Sequence, residues 1–262
     1  MQQGTALVTG ASAGIGVELA RQFAERGHDV VLVARREAKL RQAAATYEAR
    51  FDVDAHVVAQ DLASREGREA LYDEVTDRGI EVDYLVNNVG VGTQGHFLDV
   101  GVDEELTQVQ LNVATPTHLT KLFGREMRDR GHGGVLNVAS TAAFQPGPFM
   151  AVYYASKSYA LSLSEALHEE FADDGVTVTA LCPGPVETEF QARAGNEDAT
   201  IGDPDAGLMR WQTPDEVAEA GIAGLEEEKA VVVVGTEYKL LSGLTKLLPR
   251  AVTRRLAADL NH

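Results

Sequence analysis

The chain has 262 residues, 44% hydrophobic and 24% charged, with a formal net charge of −17; this suits one α/β domain or two small ones, with a substantial core, and argues against wholesale disorder. Its lone cysteine, Cys182, excludes an intramolecular disulfide framework and a cysteine-based zinc cage, and no apolar run reaches the ~18 residues that a membrane span needs. The 40 acidic residues outweigh 23 basic ones, which opposes phosphate-backbone binding, so nucleic acid is not an expected partner. The acids are scattered from Glu25 to Glu228 and read as a solvated surface, in its sharper form one adapted to high salt. Met1-Gln2-Gln3-Gly4 carries no basic leader region and runs directly into a strand-like stretch, so a cytoplasmic location is expected.

Short β-branched runs occur at 5–9, 29–33, 55–59, 83–86, 134–138, 176–181 and 230–234. Stretches of helical period lie between them at 14–26, 37–50, 64–78, 103–130 and 151–172. This alternation predicts βαβ units in one doubly wound α/β domain: about seven parallel strands with helices on both faces. After the first strand, Thr9-Gly10-Ala11-Ser12-Ala13-Gly14-Ile15-Gly16 opens the first helix. Glycines there permit a tight turn and close approach of backbone to a pyrophosphate, which the helix N-terminus attracts. The spacing is G-x-x-x-G-x-G, so the general dinucleotide fingerprint is not strictly met.

The second strand ends in Arg35-Arg36. An NAD site places an acid ~20 residues beyond the glycines for the ribose 2′-hydroxyl; two guanidinium groups there instead favour a 2′-phosphate, hence NADP(H) over NAD(H). Farther on, Tyr153 and Lys157 stand four apart at the start of a helix and share a face. An ammonium beside a phenol lowers the phenol pKa, which suits proton exchange with a carbonyl or alcohol oxygen. Ser140, at the end of the fifth strand, is placed to bond the same oxygen. Residues 187–212 then turn polar and Gly/Asp-rich after a strand's carboxyl end, the place of a substrate lid. Thr213, Pro214 and Glu216 spell a capping box that restarts a helix.

Taken together, Thr9 to Gly16, Asn87-Asn88-Val89-Gly90, Asn112, Ser140, Tyr153 with Lys157, and Pro183-Gly184-Pro185-Val186-Glu187-Thr188 resemble the short-chain dehydrogenase/reductase family over residues 5 to about 235. The resemblance implies a single-domain Rossmann-type fold and a catalytic tetrad of Asn112, Ser140, Tyr153 and Lys157. Tyr153 would be the general acid in reduction, Ser140 would orient the substrate oxygen, Lys157 would hold the nicotinamide ribose, and Asn112 would hold a relay water. Tyr154 is the rival phenol, but Tyr153 keeps the family spacing of thirteen from the serine. Gly10, Ser12, Ile15 and Gly16 would line the pyrophosphate and ribose, and Arg35, Arg36 and Ser12 the 2′-phosphate. Asp61 would meet the adenine unless it is simply a helix N-terminal acid. Asn88 and Gly90 would flank the cofactor, and Val186 and Thr188 would contact the carboxamide. Val89 departs from the usual alanine of that turn.

The implied activity is NADP(H)-dependent hydride transfer on a carbonyl or secondary alcohol, with a small-molecule substrate and a homo-oligomer expected. Phe144, Phe149, Met150, Leu208, Met209 and Trp211 near the mouth suggest an apolar, acyl-like substrate. The alternatives are a catalytically silent NADP(H)-binding redox sensor and a membrane-associated interaction protein that uses the basic tail from Tyr238. The seven histidines show no metal spacing, and Cys182 in an apolar strand reads as structural. Beyond the 1–236 domain lies the 237–262 extension, which from Tyr238 onward carries five basic residues and one acid, Asp259, with leucines at helical spacing. It resembles the β-ketoacyl-CoA reductase-like, broad-specificity subgroup. This extension is expected as an amphipathic helix broken at Pro249, docked on the domain, on a second subunit or on a membrane surface, or covering a substrate channel.

Overall fold

A computed structural model describes residues 3–195 and 210–261, apart from the side chains of Lys246 and Leu247. Seven strands, β1 Thr5–Thr9, β2 Asp29–Ala34, β3 Ala55–Ala59, β4 Tyr84–Asn87, β5 Gly133–Val138, β6 Val176–Cys182 and β7 Val231–Val233, form one sheet. Every pairing is parallel, in the order β3-β2-β1-β4-β5-β6-β7. The direction of winding reverses between β1 and β4, so a crevice opens above their carboxyl ends, where such sheets take ligands.

Helices α1 Gly14–Glu25, α2 Glu37–Phe51 and α8 Pro214–Glu226 pack on one face of the sheet. On the other lie α3 Arg65–Asp77, α5 Thr115–Arg130 and α6 Ala151–Phe171. Strand pleating divides the core between them: Ala6, Val8, Val30 and Leu32 point to Leu19, Phe23 and Leu40. Leu7, Val31 and Val33 point to Leu71, Leu119 and Phe123. Each such fully buried Val, Leu or Phe side chain contributes about 1.5–3 kcal/mol. That double burial is why the strands read as continuous apolar runs. The expected capping box is present: Thr213 Oγ1 accepts from Glu216 N, and Glu216 reaches back to Thr213 N.

The helical period at 103–130 does not give one helix. The structure splits it into α4 Val102–Val109, a π turn Gln110–Ala114 and α5. Pro116 has no N–H to offer the carbonyl four residues back, Asn112, and the ladder slips so that Thr115 N bonds Gln110 O.

The extension breaks where expected, into α9 Thr236–Leu247 and α10 Arg250–Asn261. Both pack on this chain's own domain. Tyr238 is buried, with its ring over Gly184, where a Cβ would meet it at 2.5 Å. Its hydroxyl donates to Arg210 O at 2.6 Å. Thr253, Ala257 and Asn261 are buried beneath α10, while Leu240, Leu244, Leu248, Val252 and Leu256 stay exposed on the outer face. Among the described residues no helix is long and apolar enough to cross a membrane.

Candidate dinucleotide and catalytic site

The crevice is a cavity of about 450 Å³ that runs from the glycine turn to the α9–α10 hairpin. At its first end, α1 begins with no side-chain cap and no acid in its first turn, leaving its N–H groups and positive pole to an external anion. Gly10 turns at φ +70°, and a Cβ on Gly16 would sit 2.4 Å from Gly10 O, so the turn is closed against side chains. Asn88 fastens it from β4: its Nδ2 donates to Thr9 O at 2.8 Å, and its backbone N–H to Thr9 Oγ1 at 2.9 Å. Asn88 thus shapes the cradle. Gly10, Ser12, Ile15, Asn88, Gly90, Val186 and Thr188 all line the cavity.

The two arginines part company. Arg36 lies along the turn, with Nε donating to Ser12 Oγ at 3.1 Å and Nη2 to Ser12 O at 3.0 Å. Its Nη1 donates to Glu189 at 3.0 Å. Arg35 is 70% exposed and stands 3.9 Å from Asp61. Asp61 is not a helix N-terminal acid: α3 starts at Arg65 with Ser64 as its cap, and Asp61 accepts from Ala63 N at the cavity wall. Lys39, one turn into α2, donates to Glu189 at 3.2 Å. Neither it nor Glu189 was anticipated, although Lys39 stands three residues from Arg36 on the same helical face. An open helix N-terminus, a side-chain-free turn and guanidinium and ammonium groups at the end of β2 fit a dinucleotide carrying a 2′-phosphate.

At the other end, Ser140, Tyr153 and Lys157 line the same cavity. Ser140 closes β5, and its Oγ accepts from Ala142 N at 3.1 Å while standing within hydrogen-bonding reach of the Tyr153 phenol. Lys157 Nζ donates to Val138 O at 2.8 Å and lies 5.7 Å from the centroid of the Tyr153 ring. Burial lowers its pKa to about 8. The phenol behaves contrary to the expectation from spacing alone. Burial pushes Tyr153 up to about 12, and Ser140 is the group that draws it back. The ammonium faces the ring, and its hydrogen bond goes to Val138 rather than to the hydroxyl.

Asn112 sits in the π turn, its amide bonded to the backbone of the post-β4 loop. Its Oδ1 accepts from Val91 N at 3.0 Å, and Nδ2 donates to Val91 O at 2.8 Å and Ser156 Oγ at 3.0 Å. Both amide hydrogens are used, which leaves the second lone pair of Oδ1 and the main-chain carbonyl to accept from a water. Tyr154, the rival phenol, also lines the cavity, and its hydroxyl donates to Asn261 Oδ1 at 3.2 Å. Asn261, the last residue of α10, also donates to Pro148 O at 2.9 Å, and its carbonyl accepts from Gln94 at 2.9 Å.

Phe144, Met150, Phe190, Tyr238, Leu241, Thr245 and Leu260 make this end apolar. Of the expected mouth residues, Phe144 and Met150 line it, Phe149 and Trp211 are not among the lining residues, and Leu208 and Met209 lie outside the described residues. So does 196–209 of the expected lid. Among the described residues no group of His, Cys, Asp and Glu is arranged to hold a metal ion.

A doubly wound sheet with a dinucleotide-type cradle and a Ser-Tyr-Lys cluster on one crevice defines an α/β oxidoreductase. More narrowly, the chain belongs to the short-chain dehydrogenase family, whose model matches residues 4–199. It is similar to the probable oxidoreductase EphD of Mycobacterium tuberculosis, 31% identical over 94% of this chain, although the chain spans only 43% of that protein. It is also similar to the human very-long-chain 3-oxoacyl-CoA reductase, 34% identical over 71% of this chain and 60% of the reductase. A short-chain dehydrogenase from Sphingobium yanoikuyae, solved in complex with NADPH, superposes with a TM-score of 0.82 at 29% identity, covering 93% of this chain and 94% of that one.

Proposed function

We propose that the protein is an NADP(H)-dependent oxidoreductase interconverting a lipophilic ketone, acyl-like in character, and its secondary alcohol. The observation that carries this is the convergence of Ser140, Tyr153 and Lys157 on a cavity whose far end holds Arg36 and Ser12. The NADPH in the Sphingobium structure and the substrate named for the human reductase support the cofactor and the substrate class respectively.

When bound, the dinucleotide supplies or accepts the hydride. This chain's residues do the rest. In reduction, Tyr153 donates its proton to the carbonyl oxygen as negative charge develops there. A phenol held neutral by burial is in the required form. Ser140 donates a second hydrogen bond to that oxygen, fixing the carbonyl face. Lys157, protonated below about pH 8, stabilises the phenolate left behind and binds the ribose hydroxyls. Asn112 holds the loop that carries Gly90 and Val91, and its carbonyl, lacking an N–H from Pro116, accepts a relay water that returns a proton through Lys157. Gly10, Ile15 and Gly16 receive the pyrophosphate; Val186 and Thr188 face the carboxamide, and Asp61 the adenine. The apolar end formed by Phe144, Met150, Phe190, Leu241 and Leu260 takes the substrate's hydrocarbon part. The exposed apolar faces of α4, at Val102 and Leu106, and of the hairpin are where copies of the chain would associate.

Tyr153→Phe tests the mechanism. Turnover with NADPH and a panel of ketones should fall by 100-fold or more, on the order of a general acid's contribution, while NADPH still quenches or shifts fluorescence with unchanged affinity. Equal turnover in the variant would refute it.

A further inference from the structure

We infer that Glu189 is a built-in competitor for the 2′-phosphate of the cofactor, so that its carboxylate sets how strongly the site prefers NADP(H) over NAD(H). The inference rests on the proposed NADP(H) site and adds a residue to it that acts against, rather than for, the phosphate.

Glu189 follows the Pro183–Thr188 turn and stands across the crevice from the start of α2. There its carboxylate accepts from Arg36 Nη1 at 3.0 Å and Lys39 Nζ at 3.2 Å, and from Arg193 one turn along its own helix. Arg36 is the guanidinium that also grips Ser12, and Glu189 lines the same cavity. Three cations face a single carboxylate, an excess of positive charge in a chain whose net charge is −17. That excess suits a second, stronger anion. The partners are 153 and 150 residues away from Glu189, so the contact is a product of the fold.

A phosphate arriving between Ser12 and Arg36 would meet the Glu189 carboxylate at close range. Like charges so placed repel, and one must give way. The Glu189 side chain is 47% exposed, which leaves it free to swing into solvent. NADP(H) must therefore break the Arg36–Glu189 pair, whereas NAD(H), with a bare 2′-hydroxyl, can bind with it intact. Glu189 thereby taxes one cofactor and spares the other.

The test uses the full chain and two adenosine fragments, 2′,5′-ADP and 5′-AMP, titrated calorimetrically. Glu189→Gln keeps the shape and removes the charge. The expected result is 2′,5′-ADP binding tighter by roughly 3–10-fold, the combined worth of two or three half-exposed ion pairs, with 5′-AMP altered less than about twofold. Placed in an Arg36→Ala background, the same substitution should give a smaller gain, since only the Lys39 and Arg193 pairs remain. Unchanged or weaker 2′,5′-ADP binding in Glu189→Gln overturns the inference, weaker binding showing that Glu189 organises the site. If the wild type prefers 2′,5′-ADP and the variant gains nothing, this inference alone falls. If wild type and variant both bind the two fragments equally, the NADP(H) assignment falls with it.

Discussion

Replacing Lys157 with methionine should make the cofactor-free protein more stable while destroying its activity. The ammonium is buried, and its pKa falls from 10.5 to about 8 because burial disfavours the charge. At about 1.4 kcal/mol per pH unit, holding it protonated at neutral pH costs about 3 kcal/mol. Lys157→Met retains most of the stem's packing and removes that cost, while losing the charge-assisted hydrogen bond to Val138 O, worth about 1.5 kcal/mol. The net gain is about 1.5 kcal/mol, or roughly 3–6 °C in Tm for a chain of this size. The sign with pH is fixed: a lysine whose folded pKa lies below its unfolded one carries its full cost below pH 8, and the cost fades as pH rises from 8 toward 10.5. The variant's advantage should therefore be greatest near pH 7 and vanish at about pH 10. Urea unfolding of both proteins at these two pH values reads the effect, and NADPH-dependent ketone reduction reads the loss of function. A variant no more stable than wild type at neutral pH, or one equally favoured at both, would refute the reasoning.

Other substitutions probe other parts of the site. Arg36→Ala should weaken NADPH by about tenfold, the scale of one charge-assisted phosphate contact, with NADH little changed in parallel fluorescence titrations. Gly16→Ala would put a Cβ 2.4 Å from Gly10 O; overpacking should cost about 1–3 kcal/mol in unfolding experiments and abolish nucleotide binding. Asn261→Ala strips Tyr154 and the Pro148 carbonyl of a partner. It should raise KM for bulky ketones by about fivefold, from about 1 kcal/mol of lost hydrogen bonding, while leaving the Kd for NADPH unchanged. A uniform fall in kcat with unchanged KM would argue against a role in the substrate wall.

Much of this was legible in the sequence, for identifiable reasons. Burial on both faces makes Val30 to Val33 and Val176 to Leu181 readable as strands, and Thr213-Pro214-Asp215-Glu216 is a local code that needs no tertiary context. The glycine turn, Ser140, Tyr153 and Lys157 were legible as spacings, and they do share one cavity. Electrostatics was not legible. Spacing alone suggested a phenol pKa lowered by Lys157, whereas in the fold desolvation dominates and Ser140 is what draws it back. The π turn was hidden because its cause, a proline four residues after Asn112, looks like an ordinary helix start. Glu189 and Asn261 escaped notice because each bonds to groups more than a hundred residues away, which no periodicity encodes.

The clasp of Asn261 on Tyr154 and Pro148 also has a temporal side. A ribosome makes chains from the N-terminus, and domains begin to fold in that direction. Strands β1 to β6, the glycine turn and the Ser140–Tyr153–Lys157 cluster all emerge before α9 and α10. A nascent chain could thus acquire its nucleotide cradle, and be stabilised by a nucleotide in it, while the substrate side still lacks a wall. Competence for chemistry would then arrive after the cradle, with the final turn of α10.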